Sequence, residues 1–171
     1  LQGRGRIIFA DTPQYDCNAE ELPVVTGINQ VTAFYSQFNS PRVDFLDLRS
    51  YWSRGKHFDS DRLSLAGDPR GSLLVNLGSR SAMHGKGHEE QLYGAVYHRG
   101  ETIRHHSQGR HEYQVSRTMM EADVFISVPK LKVHKKVGVT LNAKGLVGLA
   151  TNKNFLVPYT RKSPKDGGDQ Y

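Results

Sequence analysis

The chain has 171 residues, 37% of them hydrophobic, with a formal net charge of +6, a pI near 9.5 and a mean hydropathy of -0.57. That length suits one domain with a sizeable core, or part of a larger one; no run approaches the roughly 20 apolar residues of a membrane span, and the opening "LQGRGRIIFA" lacks a signal peptide's apolar core. One cysteine, Cys17, excludes an internal disulfide and any four-cysteine iron–sulfur cluster built by this chain alone.

In chain order, "RIIFA" (6–10) is an apolar run ending at Asp11 and predicts a buried strand. From Pro23 onward, Val24, Ile28, Val31, Tyr35 and Phe38 recur at helical spacing, which predicts an amphipathic helix ended by "NSP". "VDFLDLR" (43–49) predicts a second strand, and strand, helix and strand over about 45 residues is the size of a crossover unit. "RLSLAGDPRGSLLVNLG" (62–78) reads as a hairpin around Gly-Asp-Pro-Arg-Gly. Residues 79–112 are polar and hold six of the eight histidines (84, 88, 98, 105, 106 and 111), so a long surface excursion is expected there.

"EYQVSRTMMEA" (112–122) has helical spacing, and "DVFISVP" (123–129) is nearly all apolar and β-branched, the pattern of a central strand. Leu141, Leu146 and Leu149 predict a further helix over 140–150, weakened by Gly145 and Gly148. The expectation is a single α/β domain over 1–171: a mixed, largely parallel sheet flanked by helices, with a long His-rich excursion. The opening without methionine and the loop-like end "GGDQY" suit an excised domain or a partial chain.

Ligands of open α/β sheets sit beyond the strands' carboxyl ends. The predicted ends deliver Asp11, Thr12, Gln14 and Asp16, then Asp47 and Arg49, then Lys130, Lys132 and His134, with Asn76 and Ser79 joining only if the hairpin strand points the same way. Pro129 stops the ladder, and an extended "KLKVH" would turn Lys130, Lys132 and His134 to one face and pack Leu131 and Val133 inward. Three such groups favour phosphate, sulfate or carboxylate oxygens. A helix start near Thr140, with Lys144 one turn on, would add free amides. A solvated basic edge on an ordinary sheet gives the same pattern.

Other chemistries are less well marked. No glycine-rich run ends in Gly-Lys-Ser/Thr, so a Walker loop is absent. Asp11, Asp16 and Asp47 could hold magnesium, and Asp11 before Pro13 equally suits a turn. His84/His88 and His105/His106 lack the spacing of a metalloprotease, and solvated loop histidines are expected. Cys17 reads as a small packing residue, and no basic stripe interleaved with aromatics marks a specific nucleic-acid site.

The stretch "ADVFISVPKLKVHKKVGVTLNAKGLVG" (122–148) resembles the signature of the domain of unknown function 362 family of bacteria and archaea. "ADTPQYDC" resembles that family's Asp-x-Pro element, and "TNKNFLVPYTRKSPKDGGD" its closing element. The resemblance maps family motifs to Asp11, Pro13, Lys130, Lys132, His134, Lys144, Asn152, Lys153 and Asp169. It implies no assigned activity. Members similar in the closing region occur beside surface-polysaccharide genes, which implies a sugar phosphate or nucleotide sugar as ligand.

Two functional classes stand. In the first, the chain is an enzyme on a phosphorylated or carboxylated small molecule: Lys130, Lys132, Arg49, Lys144 and Thr140 hold the anion, His134 transfers a proton, and Asp11 or Asp47 acts as base or binds a metal such as magnesium. In the second, a non-catalytic module binds an anionic polymer or partner protein through the same edge. Both expect a soluble, cytoplasmic protein with anionic partners; oligomeric state is not encoded legibly.

Overall fold

The computed structural model describes residues 5–39, 41–54, 62–85, 91–94, 98–134, 136–157 and 159–169. The first strand, β1 (Arg6–Asp11), pairs in parallel with β2 (Arg42–Asp47), bringing Asp11 opposite Asp47. Between them the expected single helix is two, α1 (Leu22–Val25) and α2 (Ile28–Tyr35). Gly27 separates them at φ 76°, a left-handed conformation that glycine adopts without steric cost.

This is the one parallel pair among the described residues. The short β3 (Tyr51–Trp52) pairs antiparallel with β4 (Leu63–Ser64), and β5 (Ser72–Asn76) lies in the same sense against a later strand, β7 (Glu112–Ser116). The two runs of the expected 62–78 hairpin therefore pair elsewhere rather than with each other. Asp68 explains the turn between them: it accepts from the Arg70 amide and reaches across to Ser116 Oγ and to the amide and hydroxyl of Thr118. Burial pushes its carboxyl up, but these hydrogen bonds outweigh that and hold it below the ordinary carboxylate value.

The remaining elements are β6 (Leu92–Tyr93), α3 (Arg99–His105), α4 (Arg117–Met120), β8 (Lys132–His134), β9 (Gly138–Thr140), α5 (Asn142–Gly145) and β10 (Tyr159–Thr160). β10 pairs with β6 and β8 with β9, both antiparallel. The architecture is thus mixed α/β with small, mostly antiparallel pairs, and the expected largely parallel sheet is corrected. Strands of two to six residues, each with one partner strand, do not extend into a common sheet.

Three further expectations change. Residues 112–116 are strand, not helix, because Ser116 caps a helix that starts only at Arg117, accepting from the Met119 amide. The apolar run 123–129 belongs to no ladder, and Val124, Ile126 and Val128 are exposed. Leu131 and Val133 do not pack inward either; Val133 is 93% exposed on the β8–β9 hairpin. Over 140–150, α5 gives way to a 3-10 turn at Leu146–Leu149.

The polar excursion is anchored. His98 caps α3 by accepting from the Glu101 amide, and His106 and His111 are buried rather than solvated; His88 lies outside the described residues. His106 Nε2 sits 2.7 Å from the carbonyl oxygen of Phe155, which makes it the protonated nitrogen of a neutral ring, while Nδ1 is buried without a partner among the described residues. Across the described residues, six hydrophobic side chains are buried against fifteen polar or charged ones, so hydrogen bonding organises much of this interior.

Burial holds the His106 ring below its ordinary value, with the His111 and His105 charges acting in the same direction and the Phe155 carbonyl and Glu112 against it. Protonation therefore favours the unfolded chain, and the stability present above about pH 6.5 should fall as pH drops from there toward the lower folded-state value. Chemical denaturation between pH 7 and 5 checks this. His106→Gln, which keeps a donor for Phe155, should show a shallower loss than the parent protein; equal slopes would remove His106 as the cause.

Candidate functional site

The carboxyl ends of β1 and β2 lie side by side, and the ladder runs on as the Leu48 amide donates to the Asp11 carbonyl at 3.0 Å. Asp47 takes both Nε (2.9 and 3.1 Å) and Nη2 (2.7 Å) of Arg49, together with the Arg49 amide. Arg49 Nη1 donates to the carbonyls of Gln14 and Tyr15 at 2.7 and 3.0 Å. The guanidinium, 1% exposed, thus fastens the turn after β1 to the end of β2. Each of its nitrogens is engaged, and Arg49 and Asp47 act as a pair rather than as two free groups.

A second segment closes this edge. Thr151 to Phe155 are all buried. Asn152 Oδ1 accepts from the hydroxyls of Tyr15 and Tyr51 and from the Asn154 amide, while its Nδ2 donates to Glu101 Oε1 at 2.9 Å. Asn154 Nδ2 donates to Glu101 Oε2 (2.8 Å) and Tyr51 Oη (3.0 Å), and its Oδ1 accepts from the His98 amide. Asparagine suits both positions because one side chain carries a donor and an acceptor. The two tyrosine rings lie 4.6 Å apart, tilted at 36°, and the Arg62 guanidinium covers Tyr51 at 3.6 Å.

Between the two asparagines stands Lys153, 5% exposed. Its Nζ donates to Thr12 Oγ1 at 2.6 Å and to the Val147 carbonyl at 3.2 Å, both neutral acceptors. No carboxylate among the described residues lies within ion-pair distance of it. Burial lowers the amine to about 8, against the opposing pull of Asp11. That change represents roughly 3 kcal/mol of preference for the neutral amine relative to water. Burial also raises Asp11, with Lys153 and, more weakly, Lys132 opposing. Burial thus moves the two groups in opposite senses, the base down and the acid up.

Gly148 makes room for this arrangement. A Cβ there would stand 2.8 Å from Asp11 Oδ1, so the 3-10 turn approaches the carboxylate closely only through glycine.

The structure therefore brings Asp11, Asp47 and Arg49 to one edge, while Lys132 acts on Asp11 only by weakly opposing its rise. His134 lies two residues from Lys132 on β8, on the same strand face, with its Nδ1 accepting from the Lys136 amide at 3.2 Å. Lys130 and Lys144 are exposed. Thr140 is buried in β9 with its hydroxyl directed at the Lys132 carbonyl, and α5, of four residues, starts only at Asn142. Asp16 is exposed. Among the described residues, no three His, Cys, Asp or Glu side chains gather as a metal site. Burial pushes the half-buried Cys17 thiol up, away from an activated thiolate.

Thr12 lies at a predicted strand end, but Lys153, Tyr15, Tyr51, Asn152, Asn154 and Glu101 join the site from outside the predicted ends. Of these, Asn152 and Lys153 enter from the sequence through the family resemblance, because "TNKN" has turn-like, polar composition.

Residues 67–161, more than half of the chain, match the model of the family described as Domain of unknown function (DUF362), and the chain belongs to that family. No curated protein and no solved structure matches it. The matched span holds Lys132, His134 and Lys153 but not Asp11, Asp47 or Arg49, so the site joins residues inside and outside it.

Lysine-selective nitrogen NMR should find one amine titrating near 8 that vanishes in Lys153→Met. A buried ammonium costs stability below that value and the cost is relieved as pH rises toward 10.5, so the parent protein should gain stability across this window and the variant should gain less. A Lys153 resonance titrating above 10 would contradict the assignment.

Proposed function

We propose that this chain carries the site of an enzyme acting on a phosphorylated or carboxylated small molecule at the carboxyl edge of β1 and β2. The observation that carries the reading is Lys153, buried, held by neutral acceptors and poised beside Asp11. In this reading Lys132 attracts the anion, with Lys130, Lys144 and Thr140 as outer contributors. Lys153 and Asp11 exchange a proton with the substrate, and His134, sharing a strand face with Lys132, serves as a second proton carrier. Arg49 and Asp47 hold the edge in shape. A sugar phosphate or nucleotide sugar is the ligand class favoured by the family resemblance, and magnesium would serve by bridging such an anion to Asp11.

A second reading has its own support. Lys130, Lys132 and Lys144 are exposed and outside any ion pair among the described residues, as a non-catalytic module binding an anionic polymer would require. Salt separates the two, because binding to a solvated basic face weakens steeply as ionic strength rises.

The test is a thermal-shift series against phosphate, sugar phosphates, nucleotide sugars and a polyanion, with and without magnesium, at two salt concentrations. A small ligand at about 100 times its dissociation constant adds roughly 2.7 kcal/mol. The proposal expects a salt-resistant shift from one small anion, about tenfold weaker binding in Lys132→Ala, and loss of turnover in Lys153→Met and Asp11→Asn with the fold intact. Shifts confined to the polyanion and abolished by salt would replace the enzyme reading with the binding module.

A further inference from the structure

The run 124–131 belongs to no helix, turn or strand and pairs with nothing among the described residues. No ladder includes it, and no backbone amide or carbonyl from Ala122 to Lys130 is hydrogen-bonded to any described residue. Burial alternates along it over 126–130. Ser127 and Pro129 are half-buried over α5, where an added Cβ on Gly145 would meet Ser127 Oγ at 2.8 Å and Pro129 Cβ at 3.4 Å. Val124, Ile126 and Val128 are 74%, 76% and 86% exposed, and Phe125, of the same parity as Ser127 and Pro129, is 43% exposed. Of the twenty large hydrophobic residues exposed among the described ones, ten fall between Val124 and Leu146. The charge is equally lopsided: no Asp or Glu occurs between Asp123 and Asp166, while Lys130, Lys132, Lys135, Lys136 and Lys144 lie in that span.

We propose that Asp123–Leu131 is a docking strand that receives an extended segment of a partner protein, apolar along its length and acidic at the end that meets Lys130 and Lys132. Each element of the description answers to one feature. An added strand satisfies the unpaired backbone groups, its side chains cover Val124, Ile126 and Val128, and its acids neutralise the lysines. A lipid surface would match the valines and lysines but leave the backbone unsatisfied, at a cost of several kcal/mol per group. A second copy of this chain fits poorly. Antiparallel pairing about a twofold axis sets residues of equal parity opposite each other, so Asp123 and Glu121 never face Lys130 or Lys132.

Hydrogen exchange of amides 124–128 and 130 tests this with a ten-residue peptide that alternates valine and threonine and ends in three glutamates. A lysine-ended version and vesicles of phosphatidylserine and phosphatidylcholine serve as comparisons. The expected result is at least tenfold slower exchange with the glutamate peptide alone, abolished in Ile126→Pro, which removes a donor from an exposed position and leaves thermal unfolding unchanged. The proposal is overturned by slow exchange of these amides in the free protein, by protection that rises with protein concentration alone, by protection from vesicles in place of the peptide, or by no protection from the glutamate peptide.

Discussion

Asn152 Oδ1 accepting from the hydroxyls of Tyr15 and Tyr51 is the contact on which the rest of the structure hangs. It lies in a segment that addresses almost every other part of the described chain. Ala150 bridges to Val115, Thr151 exchanges backbone hydrogen bonds with Gln114 and Ser50, Lys153 reaches Thr12, Asn154 receives the His98 amide, and Phe155 receives His106. The small strand pairs share no common sheet, so this segment supplies the continuity that a larger sheet would otherwise give.

An interior of this kind has a characteristic sensitivity. A hydrophobic core loses stability in proportion to the volume removed, whereas a polar one fails when a single partner is withdrawn and its mate is left buried. Glu101 shows the difference: it accepts from Asn152 and Asn154, so its loss would leave Asn152 Nδ2 without this acceptor and Asn154 Nδ2 with Tyr51 Oη alone. The same economy serves the site. Groups that are fully occupied, such as Arg49, give shape, while Lys153, lodged among neutral acceptors, retains chemical latitude.

Much of the first 50 residues was legible in the sequence because local periodicity decided it. β1 and β2 stand where their apolar runs end in Asp11 and Asp47, and their parallel pairing follows from the helical stretch between them. The hairpin at 62–78 and the helix at 112–122 were misread because distant partners decided both: β5 takes β7, and Ser116 sets the start of α4. "DVFISVP" has a central strand's composition and occupies an exposed, unpaired position. Composition reports what a segment would bury, not whether a neighbour arrives to bury it. The site followed the same division. Asp11, Asp47 and Arg49 were visible at strand ends, but Lys153 depends on a fold-back that no local pattern announces.

The pairing of Thr12 with Lys153 spans 141 positions of the chain. Closing so long a loop carries a large entropic cost that is repaid only after other contacts have shortened it, which places this contact among the late events of folding. A growing polypeptide therefore has β1 and its aspartate long before it has the amine that completes the edge. During synthesis the strand ends exist as an unfinished half-site. The edge is complete only when residue 153 has been made and drawn home.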